Sequence, residues 1–276
     1  NYKDAISIIG NTNSIKRHSI SIKLSALHPR YERNKLALLE KELLPKLFEL
    51  IEIAKIYKVD ICLDAEEAEH LNLSLFLVSK ILESNIIDNN YYGFGIAVQA
   101  YQQRSIFVLQ WINNKLIGLD KKMNIRLVKG AYWDTEIKLA QEKGFSNYPV
   151  YTKKFITDLS YLKCAHILFR SERIFSQFAT HNAFTISYVK KLFGTKSYEF
   201  QKLHGMGDEI YNHFKENEDF GCRVYAPVGG YNDLLPYLVR RLLENGANTS
   251  FIHQLNKKDA NVQDLVQSPL NKIHKL

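Results

Sequence analysis

The sequence predicts an α/β fold and, within that class, a parallel (βα)8 barrel. Three observations carry this. Strand-like and helix-like stretches alternate strictly along the chain, the pattern of a parallel sheet. The 276 residues are long for one ordinary domain but normal for an α/β barrel, which runs to about 250. Polar side chains stand at the C-terminal end of every strand candidate. An open doubly wound sheet serves ligands mainly at one switch point, so few strand ends would need such equipment. In a barrel all the ends share one mouth.

The elements follow in order. The chain opens at Asn1, without Met, inside a helix-like stretch, and so reads as a piece of a longer polypeptide. The first strand candidate, residues 20–24, carries Lys23. Leu36, Leu39, Leu43, Leu47 and Leu50 then recur at three or four residues and form one apolar helix face. Residues 60–64 end in Asp64 and lead to a helix over 71–82. Residues 93–99 end in Gln99 and lead to a helix over 107–117. The fourth candidate, 125–129, is the most informative. From Asn124 to Asp134 a β-branched run ends in two cations, a glycine and two aromatics instead of neutral turn residues. A strand of that kind delivers its last residues into a site.

A helix over 155–169 follows, then a strand at 178–182 ending in Thr180, His181 and Asn182. The next strand, 199–203, carries Gln201 and Leu203 on one face by alternation, with His204 just beyond. The last, 223–226, carries Tyr225 and precedes a helix over 234–243. Seven strands leave the count one short of eight. No glycine-proline linker interrupts them, so residues 1–255 read as one barrel domain. The polar stretch 256–276 reads as a linker or tail.

Composition narrows the function. Hydrophobic residues make up 46% and charged residues 24%, enough for a sizeable core and too apolar for disorder. The net charge of +8 is dispersed, without a run of five or six cations, which argues against a nucleic-acid partner. Cys62, Cys164 and Cys222 are odd in number and lack C-x-x-C spacing. They read as buried free thiols in a reducing compartment. No signal peptide is visible and no apolar run nears the ~18 residues of a spanning helix, which points to the cytoplasm. No G-x-G-x-x-G follows a strand, since Gly93-Phe94-Gly95 lacks the third glycine; that disfavours a Rossmann-type flavoprotein.

Five stretches carry a resemblance. They are SIKLSALHPRY at 21–31, the run from Arg126 to Asp134, FATHNA at 178–183, FQKLHGMG at 200–207, and YLVRRLLENGANTSF at 237–251. Together, in this order and over nearly the whole chain, they resemble proline dehydrogenase. The version is that of the long bifunctional bacterial proline-utilisation flavoenzymes. The resemblance implies a distorted TIM-like (βα)8 barrel, FAD as cofactor, and oxidation of L-proline to Δ1-pyrroline-5-carboxylate. It further implies electron transfer to a quinone, peripheral contact with the inner face of the cell membrane, and linkage to a pyrroline-5-carboxylate dehydrogenase domain. The family has one more strand, ending in a glycine-glutamate pair, ahead of the helix with which this chain opens. Without it the barrel keeps unpaired edges.

Site roles follow residue by residue. Proline is a zwitterion, and Arg240 and Arg241 with Lys23 suit its carboxylate through charge-assisted bonds. The local alternatives are helix ion pairs from the arginines to Glu244 and a snorkelling Lys23. The resemblance places Tyr225 on the proline ring and Leu203 in the same pocket. It puts Asp64, Arg126 and Tyr225 at the catalytic centre, although an Asp64 followed by Glu66 and Glu67 also suits a helix cap. Arg126, Val128, Lys129, Gly130, Ala131, Tyr132 and Trp133 resemble a flavin-holding segment. A cation there would stabilise the anionic reduced flavin, and Gly130 would permit close backbone approach. By the same resemblance Gln99 bonds the isoalloxazine, Thr180 and His181 sit on the cofactor, and Thr152 and Lys153 reach the pyrophosphate or ribose. Ala65, Asn182, Gln201 and Glu244 complete the implied cofactor contacts. The implied chemistry is transfer of a hydride equivalent from proline C5 to flavin N5, with no dedicated general base evident.

Two rival readings stand beside this one. A metal-dependent barrel hydrolase could draw on Asp64, Glu66, His181 and His204, although neither H-x-H nor H-E-x-x-H spacing occurs. A truncated barrel could also retain the motifs without activity.

Overall fold

Each strand is returned by a helical crossover to the same end of the sheet, so consecutive strands lie side by side and parallel. A computed structural model of the chain describes residues 1–12, 17–88, 91–217, 221–246 and 268–271, without the side chains of 215–217, 233, 236, 240 and 242–246. Among the described residues the strands are β1 (Ser19–Ile22), β2 (Asp60–Leu63), β3 (Phe94–Gln99), β4 (Met123–Val128), β5 (Ile174–Ala179), β6 (Tyr198–Leu203) and β7 (Cys222–Tyr225). They form one seven-stranded parallel sheet in the order β1 to β7, curled as a TIM-like barrel lacking a strand. The boundary expected at 255/256 lies outside the described residues.

The helices are α1 (Tyr2–Gly10), α2 (Leu36–Glu42), α3 (Leu44–Tyr57), α4 (Leu71–Glu83), α5 (Ser105–Leu119), α6 (Trp133–Glu142), α7 (Lys154–Arg170), α8 (Ala183–Phe193), α9 (Asp208–Asn217) and α10 (Tyr231–Gly246). The leucine face expected as one helix over 36–50 is two. Pro45 has no N–H to continue α2 and instead occupies the first turn of α3, where that loss costs nothing. Leu39, Leu43, Leu47 and Leu50 are buried as expected, whereas Leu36 is 38% exposed.

A second correction concerns β5, expected at 178–182 and found at Ile174–Ala179. Thr180, His181 and Asn182 lie beyond the strand. The Asn182 side chain accepts from the Thr185 N–H at 2.9 Å and caps α8, so its backbone cannot also continue a ladder. The true start of β5 is disguised by Gln177, a polar residue buried at mid-strand.

Alternation gives the sheet two unlike faces. Ile61, Leu63, Ile125, Leu127, Phe178 and Phe200 are buried against the helical layer. The inner face carries Asp60, Asn124, Arg126, Gln177, Glu199, Gln201 and Arg223 instead of an aliphatic filling. Buried polar groups favour partners; Asp60, Arg126, Glu199, Gln201 and Arg223 have them, whereas Gln177 Oε1 has none among the described residues. At the strand starts Arg17 Nε lies 2.9 Å from Asp60 Oδ1. Arg223 meets Glu199 through two bonds, Nε to Oε1 at 2.9 Å and Nη2 to Oε2 at 3.0 Å. Arg223 Nη1 also donates to the Arg17 carbonyl at 2.7 Å. That bond spans the seam between β7 and β1, which form no ladder with each other among the described residues.

Candidate functional site

The mouth of the barrel is built around Arg126. It lies inside β4, two residues before the strand end, and alternation turns it inward. Its Nη1 donates to Asp64 Oδ1 at 2.9 Å and its Nε to Gln201 Oε1 at 2.7 Å. Among the described residues Nη2 has no protein acceptor. The guanidinium lies 5.4 Å from the centroid of the Tyr225 ring, a cation–π contact. Asp64 stands just past β2, where burial pushes its carboxyl above the usual range while Arg126 and Lys23 pull it down. Burial and the Asp64 carboxylate push the Tyr225 phenol up to about 12, so it stays a neutral donor near pH 7. Lys23 Nζ donates to Tyr132 Oη at 3.4 Å, joining β1 to the loop after β4.

That loop is held by backbone geometry. Gly130 has φ of 145°, a conformation side chains rarely adopt, and a Cβ there would lie 2.5 Å from Tyr101 ring carbons. Only glycine lets the loop lie flat on Tyr101. The Ala131 N–H donates to Gln99 Oε1 at 3.3 Å, and Gln99 Nε2 donates to the Glu66 carbonyl at 2.9 Å. Trp133 Nε1 donates to the Tyr151 carbonyl at 2.9 Å, while the Tyr151 N–H donates to the Tyr101 carbonyl at 2.8 Å. These bonds bring exposed Thr152 and Lys153, at the start of α7, to the side of the mouth where Gly130 and Trp133 lie. Lys129 pairs with Asp158, which also bonds Lys154 at 3.1 Å. Burial would raise Asp158, but the two lysines outweigh it and hold the carboxyl below its ordinary value.

On the opposite side His181 Nε2 accepts the Leu203 N–H at 3.1 Å. An amide can only donate, so the ring proton sits on Nδ1. Burial, with Arg241 and Lys202 nearby, lowers the His181 pKa to about 4, and the ring is neutral near pH 7. Arg241, on α10, therefore faces the ends of β5 and β6, and it also stacks 5.1 Å from the Tyr237 centroid. Thr180 is buried, and its carbonyl accepts from Tyr211 Oη at 2.7 Å.

The structure thus gathers Lys23, Asp64, Arg126, Gln201 and Tyr225 in one cluster, Gln99 and Lys129 through Trp133 in a second, and His181, Leu203 and Arg241 in a third. Ala65 and Val128 are half-buried beside Asp64 and at the end of β4. The side chains of Arg240 and Glu244 lie outside the described residues. The rival hydrolase set is not assembled: among the described residues only Glu66, Glu67 and His70 group their ligand atoms. His181 is spent on Leu203, and His204 is exposed.

Sequence reasoning passed over Glu199, Arg223, Asp158 and Tyr101. Glu199 had a signal, since it shares a strand face with Gln201 and Leu203. Asp158 and Tyr101 had none, because their contacts are long-range.

A family model described as proline dehydrogenase matches residues 1–254. The chain belongs to the proline dehydrogenase family. It is 44% identical to "Bifunctional protein PutA" of Klebsiella aerogenes over 290 aligned positions, covering 100% of this chain and 22% of that protein. "Proline dehydrogenase 1" of Bacillus subtilis is 26% identical, over 84% of this chain and 68% of its own length. A crystal structure of a Proline Utilization A variant from Bradyrhizobium japonicum superposes with a TM-score of 0.94 at 46% identity, covering 99% of this chain and 29% of that one. The PutA of Bdellovibrio bacteriovorus, inactivated by N-propargylglycine, gives 0.92 at 27% identity, over 99% of this chain and 30% of its own. The chain spans about a fifth to three tenths of the length of the PutA proteins it matches. The proline dehydrogenase match takes in every cluster described above, α10 included.

Proposed function

We propose that this chain carries out FAD-dependent oxidation of L-proline to Δ1-pyrroline-5-carboxylate. The observation that carries the reading is Arg126, a cation fixed by Asp64 and Gln201 whose Nη2 has no protein acceptor among the described residues. The surrounding donors suit an anionic cofactor and a carboxylate substrate. Lys23, Lys129 and Arg241 supply positive charge, and neutral His181 presents Nδ1–H. The Gly130 backbone, pressed against Tyr101, leaves room that a side chain would take. These residues fit FAD.

In this reading Arg126, Lys129, Gly130 and Ala131, with Gln99 behind them, hold the isoalloxazine. Trp133, Thr152, Lys153, Thr180 and His181 hold the remainder, with Ala65, Val128, Asn182, Gln201 and Glu244 flanking. Lys23, Arg240 and Arg241 bind the proline carboxylate, while Tyr225 and Leu203 pack on the ring. Bound there, FAD would supply the redox chemistry, as acceptor of the hydride equivalent that leaves proline C5. The protein orients the two molecules and keeps compensating charge in place. Asp64 positions Arg126 and balances its charge.

Electrons pass onward to a quinone, and the product to a linked pyrroline-5-carboxylate dehydrogenase domain. Among the described residues no helix is long and apolar enough to cross a membrane. In this reading the protein is cytoplasmic, and any approach to the inner face of the cell membrane is peripheral. The test is a visible spectrum of the chain with FAD, followed by anaerobic L-proline. Bleaching of bound flavin, blocked by N-propargylglycine, is expected. Bound flavin that L-proline does not reduce would refute the substrate, and absence of flavin binding would refute the cofactor.

A further inference from the structure

We propose that Glu199 is a positioning residue that aims Arg126 by fixing the orientation of the Gln201 amide. The inference rests on the reading above, in which Arg126 faces the ligands. Gln201 is buried and stands between two groups of opposite character. Its Oε1 accepts from Arg126 Nε at 2.7 Å, and its Nε2 donates to Glu199 Oε1 at 2.7 Å. A carboxamide's two ends are nearly isosteric, so its partners choose the orientation. A guanidinium can only donate and an ionised carboxylate can only accept, so one orientation satisfies both. With a neutral amide at position 199 the Gln201 side chain can reverse and present N–H to Arg126, leaving donor against donor.

Glu199 is itself held. Arg223 grips both its oxygens, at 2.9 and 3.0 Å, and is anchored to the Arg17 carbonyl across the seam at 2.7 Å. The chain of bonds therefore runs from the β7–β1 seam through Arg223, Glu199 and Gln201 to Arg126 and on to Asp64. Such a network orients its end members more tightly than isolated pairs would. Glu199 lies two residues before Gln201 on the same strand face, and its effect is exerted through Gln201.

The test follows the Arg126 Nε–H signal by 15N NMR in the chain without FAD, assigned by its loss in Arg126→Lys. Glu199→Gln is expected to speed solvent exchange of that proton by about tenfold or more, the factor a charge-assisted bond is worth. FAD affinity is expected to fall by a similar factor. The exchanged double variant Glu199→Gln/Gln201→Glu restores an acceptor opposite Arg126 and is expected to recover the slow-exchanging signal. A role of Glu199 confined to stability would not be rescued at position 201. An unchanged signal in folded Glu199→Gln overturns the proposal, as does a folded double variant without recovery. If Glu199→Gln does not fold, Arg223→Lys removes one of the two bonds on Glu199 and must also speed the exchange, or the proposal fails. Should these signals behave as expected while the wild-type chain binds no FAD, the positioning stands and the flavin reading falls.

Discussion

Acidification should destabilise this fold through His181. The ring is buried, lies near Arg241 and Lys202, and has its pKa lowered to about 4. An unfolded histidine titrates near 6.5. Above ~6.5 neither state holds the extra proton, and the stability associated with the neutral ring is fully present. Between ~6.5 and ~4 the unfolded chain binds a proton that the folded chain refuses, so stability falls as pH falls, by about 1.4 kcal/mol per pH unit. The whole window is worth at most about 3.4 kcal/mol, and about 2.5 of that is gone by pH ~4.5. The cause is local: protonating Nε2 removes the acceptor that the Leu203 N–H uses at 3.1 Å and places a cation beside two others. The assay is urea unfolding of the wild type and His181→Gln from pH 8 to 4.5. A glutamine carbonyl can still accept from Leu203 but does not titrate, so the stability gap between the two proteins should change by about 2.5 kcal/mol over that range. A gap that stays constant, or an NMR titration placing the ring near 6.5, would refute the reasoning.

Two further predictions concern ligands. Gly130→Ala should weaken FAD binding by about tenfold or more, because strain at φ of 145° and a Cβ 2.5 Å from Tyr101 each cost about 1–3 kcal/mol. Gly144→Ala, at φ of 63° with open space around its Cβ, is the control and should leave the flavin titration unchanged. Arg241→Met should raise KM for L-proline about a hundredfold, the scale of losing one partner of a charge-assisted pair; steady-state kinetics with a KM near the wild-type value would remove Arg241 from the carboxylate clamp.

Periodicity made most of the fold legible. The Leu71–Glu83, Ser105–Leu119 and Lys154–Arg170 helices repeat apolar residues every three or four positions, and the structure finds them within two residues of the expected bounds. Where a backbone effect competed, the pattern misled. Pro45 split one leucine face into two helices, and the Asn182 cap ended β5 early. The motif residues at the strand ends were legible as chemistry because cations and amides are costly to bury without a purpose or a partner.

What the sequence by itself determined is the class, the strand order and the identity of most mouth residues, since these depend on local pattern and on motifs continuous in the chain. Only the tertiary structure decided how those residues are held. Arg126 is 62 residues from Asp64 and 75 from Gln201, and Arg223 reaches Arg17 across 206 residues. Such partners become neighbours only when parallel strands settle into register and the sheet curls. The choice of donor and acceptor at Gln201, the tautomer of His181 and the closeness of Gly130 to Tyr101 are therefore properties of the folded barrel, set by side chains that meet on its inner face.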